Sequence, residues 1–91
     1  MTIAAGTFLP LSGRVACVLL ELAHEFGKDA GSGRLVIQQK IGQTDLAAMA
    51  GISRESVNRI LNDWKRRKLI SWASGYYWIE NKAQLQNEAE L

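Results

Sequence analysis

One cysteine, Cys17, one histidine, His24, and one proline, Pro10, occur in 91 residues. A lone cysteine excludes an internal disulfide, and a lone histidine beside it excludes a zinc cluster of the usual four Cys/His ligands. With no second histidine, no carboxylate dyad and no glycine-rich phosphate loop, no catalytic constellation can be assembled. The chain is therefore read as a non-enzyme without a cofactor. Long apolar runs are missing as well: nothing approaches the roughly 18 consecutive apolar residues of a membrane span, and the N-terminal MTIAAGTFLPLSG has no basic region ahead of an apolar one. A soluble, cytoplasmic protein is expected. The length allows one small core, too little for a large enzyme.

Charge of one sign is also scarce, with a net of only +2, but its placement is uneven. Residues 1–33 carry a balance of −1 and residues 83–91 a balance of −2, so residues 34–82 hold +5, from nine Lys/Arg against four Asp/Glu. A basic middle between two acidic ends is the footprint expected of a nucleic-acid partner.

Val15, Val18, Leu19, Leu22 and Phe26 recur at helical spacing behind Ser12, read as the cap, and ahead of Gly27, read as the stop, which predicts a helix over 12–26. Ala16, Leu20 and Ala23 form a second apolar stripe on it. That stripe serves either contacts within the domain or a docking face for a partner. Lys28 to Gly33 (KDAGSG) reads as a loop, and Leu35-Val-Ile-Gln-Gln as an edge strand. A helix follows over 43–50, broken by Gly51, and another opens at Ser53 and runs to about Lys68, with Val57, Ile60, Leu61 and Trp64 as its core stripe. Two aromatic or β-branched runs around Ala73-Ser74-Gly75 signal a hairpin. Asn81 then caps a short tail helix expected to fray.

Two helices meeting at Gly51, the second with a polar outer face and a hairpin behind it, make a winged helix-turn-helix. The expected fold class is mainly α, a three-helix core with a small β-hairpin wing. The spacing supports this closely. With Gln43 as the first motif position, Leu46 and Ala47 come fourth and fifth, Ala50, Gly51 and Ile52 eighth to tenth, Val57 fifteenth and Ile60 eighteenth. Small Ala47 lets the helices approach, Gly51 takes the positive φ of the turn, and the larger residues seal the pair. Arg54, Glu55, Asn58, Arg59 and Asn62 share the outer face. Arg54 lies in the first helical turn, where the helix N-terminus disfavours a cation by about 0.3–1 kcal/mol, so stability does not account for it. A guanine edge accepts two hydrogen bonds from arginine, and a cytosine amine can donate to Glu55. A solvated face with Arg54/Asn58 or Glu55/Arg59 pairs is the plainer reading.

Ser53-Arg54-Glu55-Ser56-Val57-Asn58-Arg59-Ile60-Leu61, followed by Leu69-Ile70 and a hairpin, resembles the C-terminal DNA-binding domain of the cyclic-AMP receptor/fumarate-nitrate regulator (CRP/FNR) family. The likeness runs over roughly residues 12–82, including Ser12-Gly13-Arg14-Val15-Ala16. It implies bacterial transcription regulation, with the helix from Ser53 in the major groove of double-stranded DNA. Arg54, Glu55, Asn58 and Arg59 are the implied base contacts, and Gln43, Thr44, Ser53, Ser56, Asn62 and Lys65 the implied phosphate contacts. The Arg-Glu-x-x-x-Arg arrangement resembles the branch that prefers TGTGA-like half-sites. RNA polymerase and a second copy of the regulator, joined through an N-terminal sensor and dimerisation region, are further implied partners. That region is absent here, so the chain is expected to be the reading head of a larger regulator and to bind weakly alone. Where the family usually has a hydroxyl residue this chain has Gly42, which removes a helix cap and one phosphate contact.

The expected organisation is thus an extension or linker over 1–11, a winged-helix domain over 12–82 and a tail over 83–91. The rival reading is a winged-helix protein–protein interaction module, docking through the Ala16/Leu20 stripe and the aromatic hairpin. The charged triplet Arg54, Glu55 and Arg59 argues against it. Lys65-Arg66-Arg67-Lys68 reads chiefly as cations favouring a helix C-terminus, with phosphate tracking as the alternative. Alternation places about half of Trp72, Tyr76, Tyr77 and Trp78 in the core rather than in base stacking. Cys17 reads as an inert core thiol and His24 as solvated.

Overall fold

A computed structural model describes residues 10–90; most of the expected N-terminal extension and Leu91 lie outside that range. Helix α1 spans Leu11–Phe26. It starts one residue before Ser12, with Pro10 at the cap position and no side-chain cap. The proline ring sets φ near −56° there, its carbonyl accepts from the Arg14 N–H at 3.2 Å, and Ser12 falls inside the first turn. At the other end Gly27 stops the helix as expected. Its backbone is extended, and a Cβ would collide with the Ala23 carbonyl oxygen, so the chain leaves the helix directly into a strand.

That strand corrects the expected loop. β1, Gly27–Gly31, pairs antiparallel with β2, Arg34–Ile37, across a turn in which Ser32 and Gly33 both have positive φ. Asp29 Oδ1 accepts from the Gly31 N–H at 2.7 Å beside a register irregularity. β1 is almost wholly exposed, so it has no apolar alternation to betray it. β2 is consequently an inner strand rather than an edge, because it also pairs with β4.

α2, Gln43–Ala50, and α3, Arg54–Arg66, follow. α3 ends sooner than Lys68 because Lys68 itself turns left-handed, at φ 61°. The Leu69 N–H donates to the Trp64 carbonyl at 2.9 Å and the Lys68 N–H to the Lys65 carbonyl at 3.1 Å, closing the helix end with a Schellman motif. β3, Ile70–Ala73, and β4, Tyr76–Ile79, form the expected hairpin, with Ser74 and Gly75 at positive φ in its two-residue turn. The sheet therefore has four strands, in the order β1-β2-β4-β3.

α4, Lys82–Glu90, is capped by Asn81, whose Oδ1 accepts from the Gln84 N–H at 3.1 Å. It does not hang free. It packs along α1, burying Leu85 completely, and Glu88 reaches Arg67 at 2.8 Å. Ala16 and Ala23 of the second stripe on α1 are buried, and Leu20 packs partly buried against the same core, which resolves that stripe as internal packing. Trp64, Leu19, Ile37, Leu46, Leu61, Ile70, Ile79 and Leu85 are the largest fully buried side chains of the core, with Trp64 the biggest among the described residues. Among the described residues no helix is long and apolar enough to cross a membrane.

Candidate nucleic-acid interface

The α2–α3 pair is joined through Gly51, which caps α2 at φ 70°, ψ 36°. The Ala47 carbonyl accepts from both the Gly51 and Ile52 N–H groups, at 2.8 and 3.1 Å. Beneath the turn, Leu46, Ala47, Ala50, Val57 and Leu61 are buried. These contacts fix the angle at which α3 leaves the body, and its outer face carries Arg54, Glu55, Asn58, Arg59 and Asn62, all exposed.

At the start of α2, Gly42 indeed offers no side-chain cap. Asp45 compensates from the third helical position: its carboxylate accepts from the Gly42 N–H at 3.2 Å and lies at the positive end of the helix. At the start of α3, Ser53 is the cap, its Oγ accepting from the Ser56 N–H at 3.1 Å.

Gln43, Arg54, Glu55, Asn58 and Arg59 line one open groove of about 400 Å³. Four of them are the base contacts that the family resemblance implies, and Gln43 joins them from α2. The groove is internally braced. Asn58 Nδ2 donates to Gln43 Oε1 at 3.2 Å, while Asn62 Nδ2 donates to the Asn58 carbonyl at 2.9 Å and to its Oδ1 at 3.0 Å. Asn58 is therefore held between Gln43 and Asn62. Arg59 Nη2 donates to Ser56 Oγ at 3.1 Å, and that same oxygen accepts from Ser53 Oγ at 3.0 Å. Among the described residues neither Arg54 nor Arg59 forms an ion pair, so the Glu55/Arg59 pair of the plainer reading is not made.

The other expected phosphate contacts fall in different settings. Thr44 is exposed beside Gln43, and Ser53 is exposed at the cap. Ser56 is 8% exposed, and its hydroxyl is turned to Ser53 and Arg59. Lys65 lies over the Trp72 ring, 4.7 Å from its centroid. Its neighbours are also committed, Arg66 to Asp63 at 2.9 Å and Arg67 to Asp63 at 3.1 Å and Glu88 at 2.8 Å. These contacts favour the structural reading of that basic run.

The hairpin is stiffened by its own contacts. Tyr77 is buried, which pushes its hydroxyl pKa up, aided by Asp45, and Trp72 meets it edge to face at 6.2 Å. On the outer side Arg34 holds Glu80 through two hydrogen bonds, of 2.6 and 3.2 Å, and Ser71 adds a third at 2.6 Å. Those bonds hold the Glu80 carboxyl below its usual pKa, first through Arg34 and then through Ser71, against a smaller opposing effect of burial. Cys17 is half-buried, and burial, then Glu21, raises its pKa, as suits an inert thiol. Two features had little sequence signal: the Ser56 hydroxyl beneath Arg59, and the Arg14 guanidinium, whose Nη2 lies 2.8 Å from where a Cβ on Gly51 would stand.

Comparison with known proteins agrees with this geometry. Residues 13–88 match the family model for the Crp-like helix-turn-helix domain. A CRP-like cAMP-activated global transcriptional regulator of Mycobacterium tuberculosis is 36% identical over 83 residues, which are 91% of this chain and 34% of that protein. The chain thus spans about a third of the length of the curated relatives it matches. Among solved structures, a transcriptional regulator of the CRP/FNR family from Thermus thermophilus superposes with a TM-score of 0.83 at 27% identity, covering 98% of this chain and 45% of that one. A second regulator of the CRP family from the same organism gives 0.82 at 26% identity, covering 97% and 44%. These relatives are transcriptional regulators rather than enzymes. With the braced groove on α3, the four-stranded wing sheet and a family match over 13–88, the chain belongs to the Crp-like helix-turn-helix domain family.

Proposed function

We propose that this chain is the DNA-reading domain of a transcription regulator and that it places α3 in the major groove of double-stranded DNA. The observation that carries the reading is the single groove lined by Gln43, Arg54, Glu55, Asn58 and Arg59. It offers arginine forks for guanine O6/N7, a carboxylate for cytosine N4 and amides for adenine, most of them on the exposed face of α3. A TGTGA-like half-site suits the Arg54, Glu55 and Arg59 order. Gln43, which lines the groove, and Thr44 and Ser53, which are exposed and next in sequence to lining residues, are the groups we assign to phosphates beside it. The regulator as a whole would pair two such domains on half-sites one helical turn apart, with RNA polymerase as its further partner.

The test is selection of binding sites from a random duplex pool at fixed salt, with wild type and Arg59→Ala side by side. Wild type is expected to enrich a TGTGA-like motif, and Arg59→Ala to lose about 1–3 kcal/mol of discrimination at one base pair. An unenriched wild-type pool overturns the reading, and an unchanged motif from the variant removes Arg59 from it.

A further inference from the structure

Arg14 is a cation in the first turn of α1, where the positive end of the helix opposes it and no acidic residue accompanies it. Among the described residues it forms no ion pair. Its guanidinium rests instead on the bare α-carbon face of Gly51, with Nη2 at 2.8 Å and Cζ at 3.9 Å from the site a Cβ would fill. Gly51 is the C-terminal cap of α2, and α2 has no basic residue of its own in its last turn. Past the Ala47 carbonyl, the carbonyls of Ala48, Met49 and Ala50 have no helical N–H to accept from. An eight-residue helix has little stability by itself, so its negative end depends on what surrounds it.

We infer that Arg14 is a positioning residue for the reading helix: it supplies from α1 the cation that the C-terminus of α2 lacks, and so fixes the turn that aims α3. The inference rests on the DNA-reading function proposed above, with Arg14 acting through the turn rather than on DNA. Glycine at position 51 leaves room for the guanidinium where it stands, and a Cβ there would have to move it. The misplaced charge on α1 and the missing charge on α2 then have one explanation.

Arg14→Gln and Arg14→Lys test it, with two measurements on each. In the free protein, hydrogen exchange at the Gly51 and Ile52 amides reports the turn directly. It is expected to quicken about two- to five-fold in Arg14→Gln, with the Leu61 amide unchanged, and to return most of the way in Arg14→Lys, which keeps the charge. On DNA at fixed salt, the ratio of affinities for the selected duplex and a duplex altered at one base pair is expected to fall by a similar factor in Arg14→Gln, with the salt dependence unchanged. Unchanged exchange at both amides overturns the inference. So does a salt slope smaller by about 0.9, which would make Arg14 a phosphate contact in its own right. If wild type selects no duplex, the DNA-reading function fails, and the exchange measurement still decides whether Arg14 holds the turn.

Discussion

Replacing Ser56 by alanine separates a side chain that touches DNA from one that aims another. The Ser56 hydroxyl accepts from Arg59 Nη2 at 3.1 Å and from Ser53 Oγ at 3.0 Å. Its backbone N–H makes the cap bond to Ser53 Oγ, and alanine keeps that bond. Both partners are exposed and regain water once the hydroxyl is gone, so the stability cost should be only about 0.5–1.5 kcal/mol, measured by urea denaturation. Arg59 loses the one side-chain hydrogen bond it makes among the described residues and must be ordered when DNA binds. That ordering costs about 0.5–1.5 kcal/mol, a roughly two- to twelve-fold loss of affinity for the selected duplex, measured by fluorescence anisotropy at fixed salt. The decisive comparison is the double-mutant cycle with Arg59→Ala. If Ser56 acts by aiming Arg59, Ser56→Ala costs no further affinity once Arg59 is gone. An equal loss with and without Arg59 would refute this reasoning and return Ser56 to the direct phosphate contact that the family resemblance implies.

Three other perturbations probe the body that carries the groove. Leu85→Ala, which empties a fully buried position under α4, should cost about 2–5 kcal/mol in urea denaturation, a large part of the roughly 5–14 kcal/mol available to a chain of this size; a cost near zero would make α4 a loose tail. Gly51→Ala should cost about 1–2 kcal/mol, because alanine resists the left-handed φ of 70° and its Cβ must displace the Arg14 guanidinium; an unchanged midpoint would contradict the turn geometry. Glu80 has a folded pKa lowered by Arg34 and Ser71, so its contribution to stability is complete above the usual glutamate range and is lost as the pH falls through that range and then through the lowered folded value. Wild type should therefore lose more stability than Glu80→Gln over that acid window, and parallel curves would count against the Arg34–Glu80 link.

The parts of the fold legible in the sequence are those whose signals are local. The core stripe of α3 recurs within four residues, the left-handed turn needs glycine at position 51, and the hairpin turn needs its Ser74-Gly75 pair. A polar or charged residue that faces water on such a helix is visible by elimination, which is why Arg54, Glu55, Asn58, Arg59 and Asn62 could be placed on one exposed face, where all but Asn62 line one groove. A local view also misplaced things. Ser12 looked like a cap, yet Pro10 opens α1, because a preset φ one residue before Leu11 serves where no side chain does.

What only the tertiary structure decided concerns residues that lie far apart in sequence or are exposed on both faces. β1 is a strand because β2 supplies hydrogen-bond partners, and its own sequence, glycine-rich and polar, has no preference to show. The second stripe on α1 acquired its meaning from a helix that starts some seventy residues later and covers it. Cys17 and Ala89, Arg67 and Glu88, Arg14 and Gly51 meet only after the chain has folded back on itself. By itself, then, the sequence determined the helix pair, its outward charges and the hairpin turn, through periodicity and backbone sterics that act within a few residues. The braces that aim those charges were settled by packing, since no short-range pattern records which distant side chain will lie against a given turn.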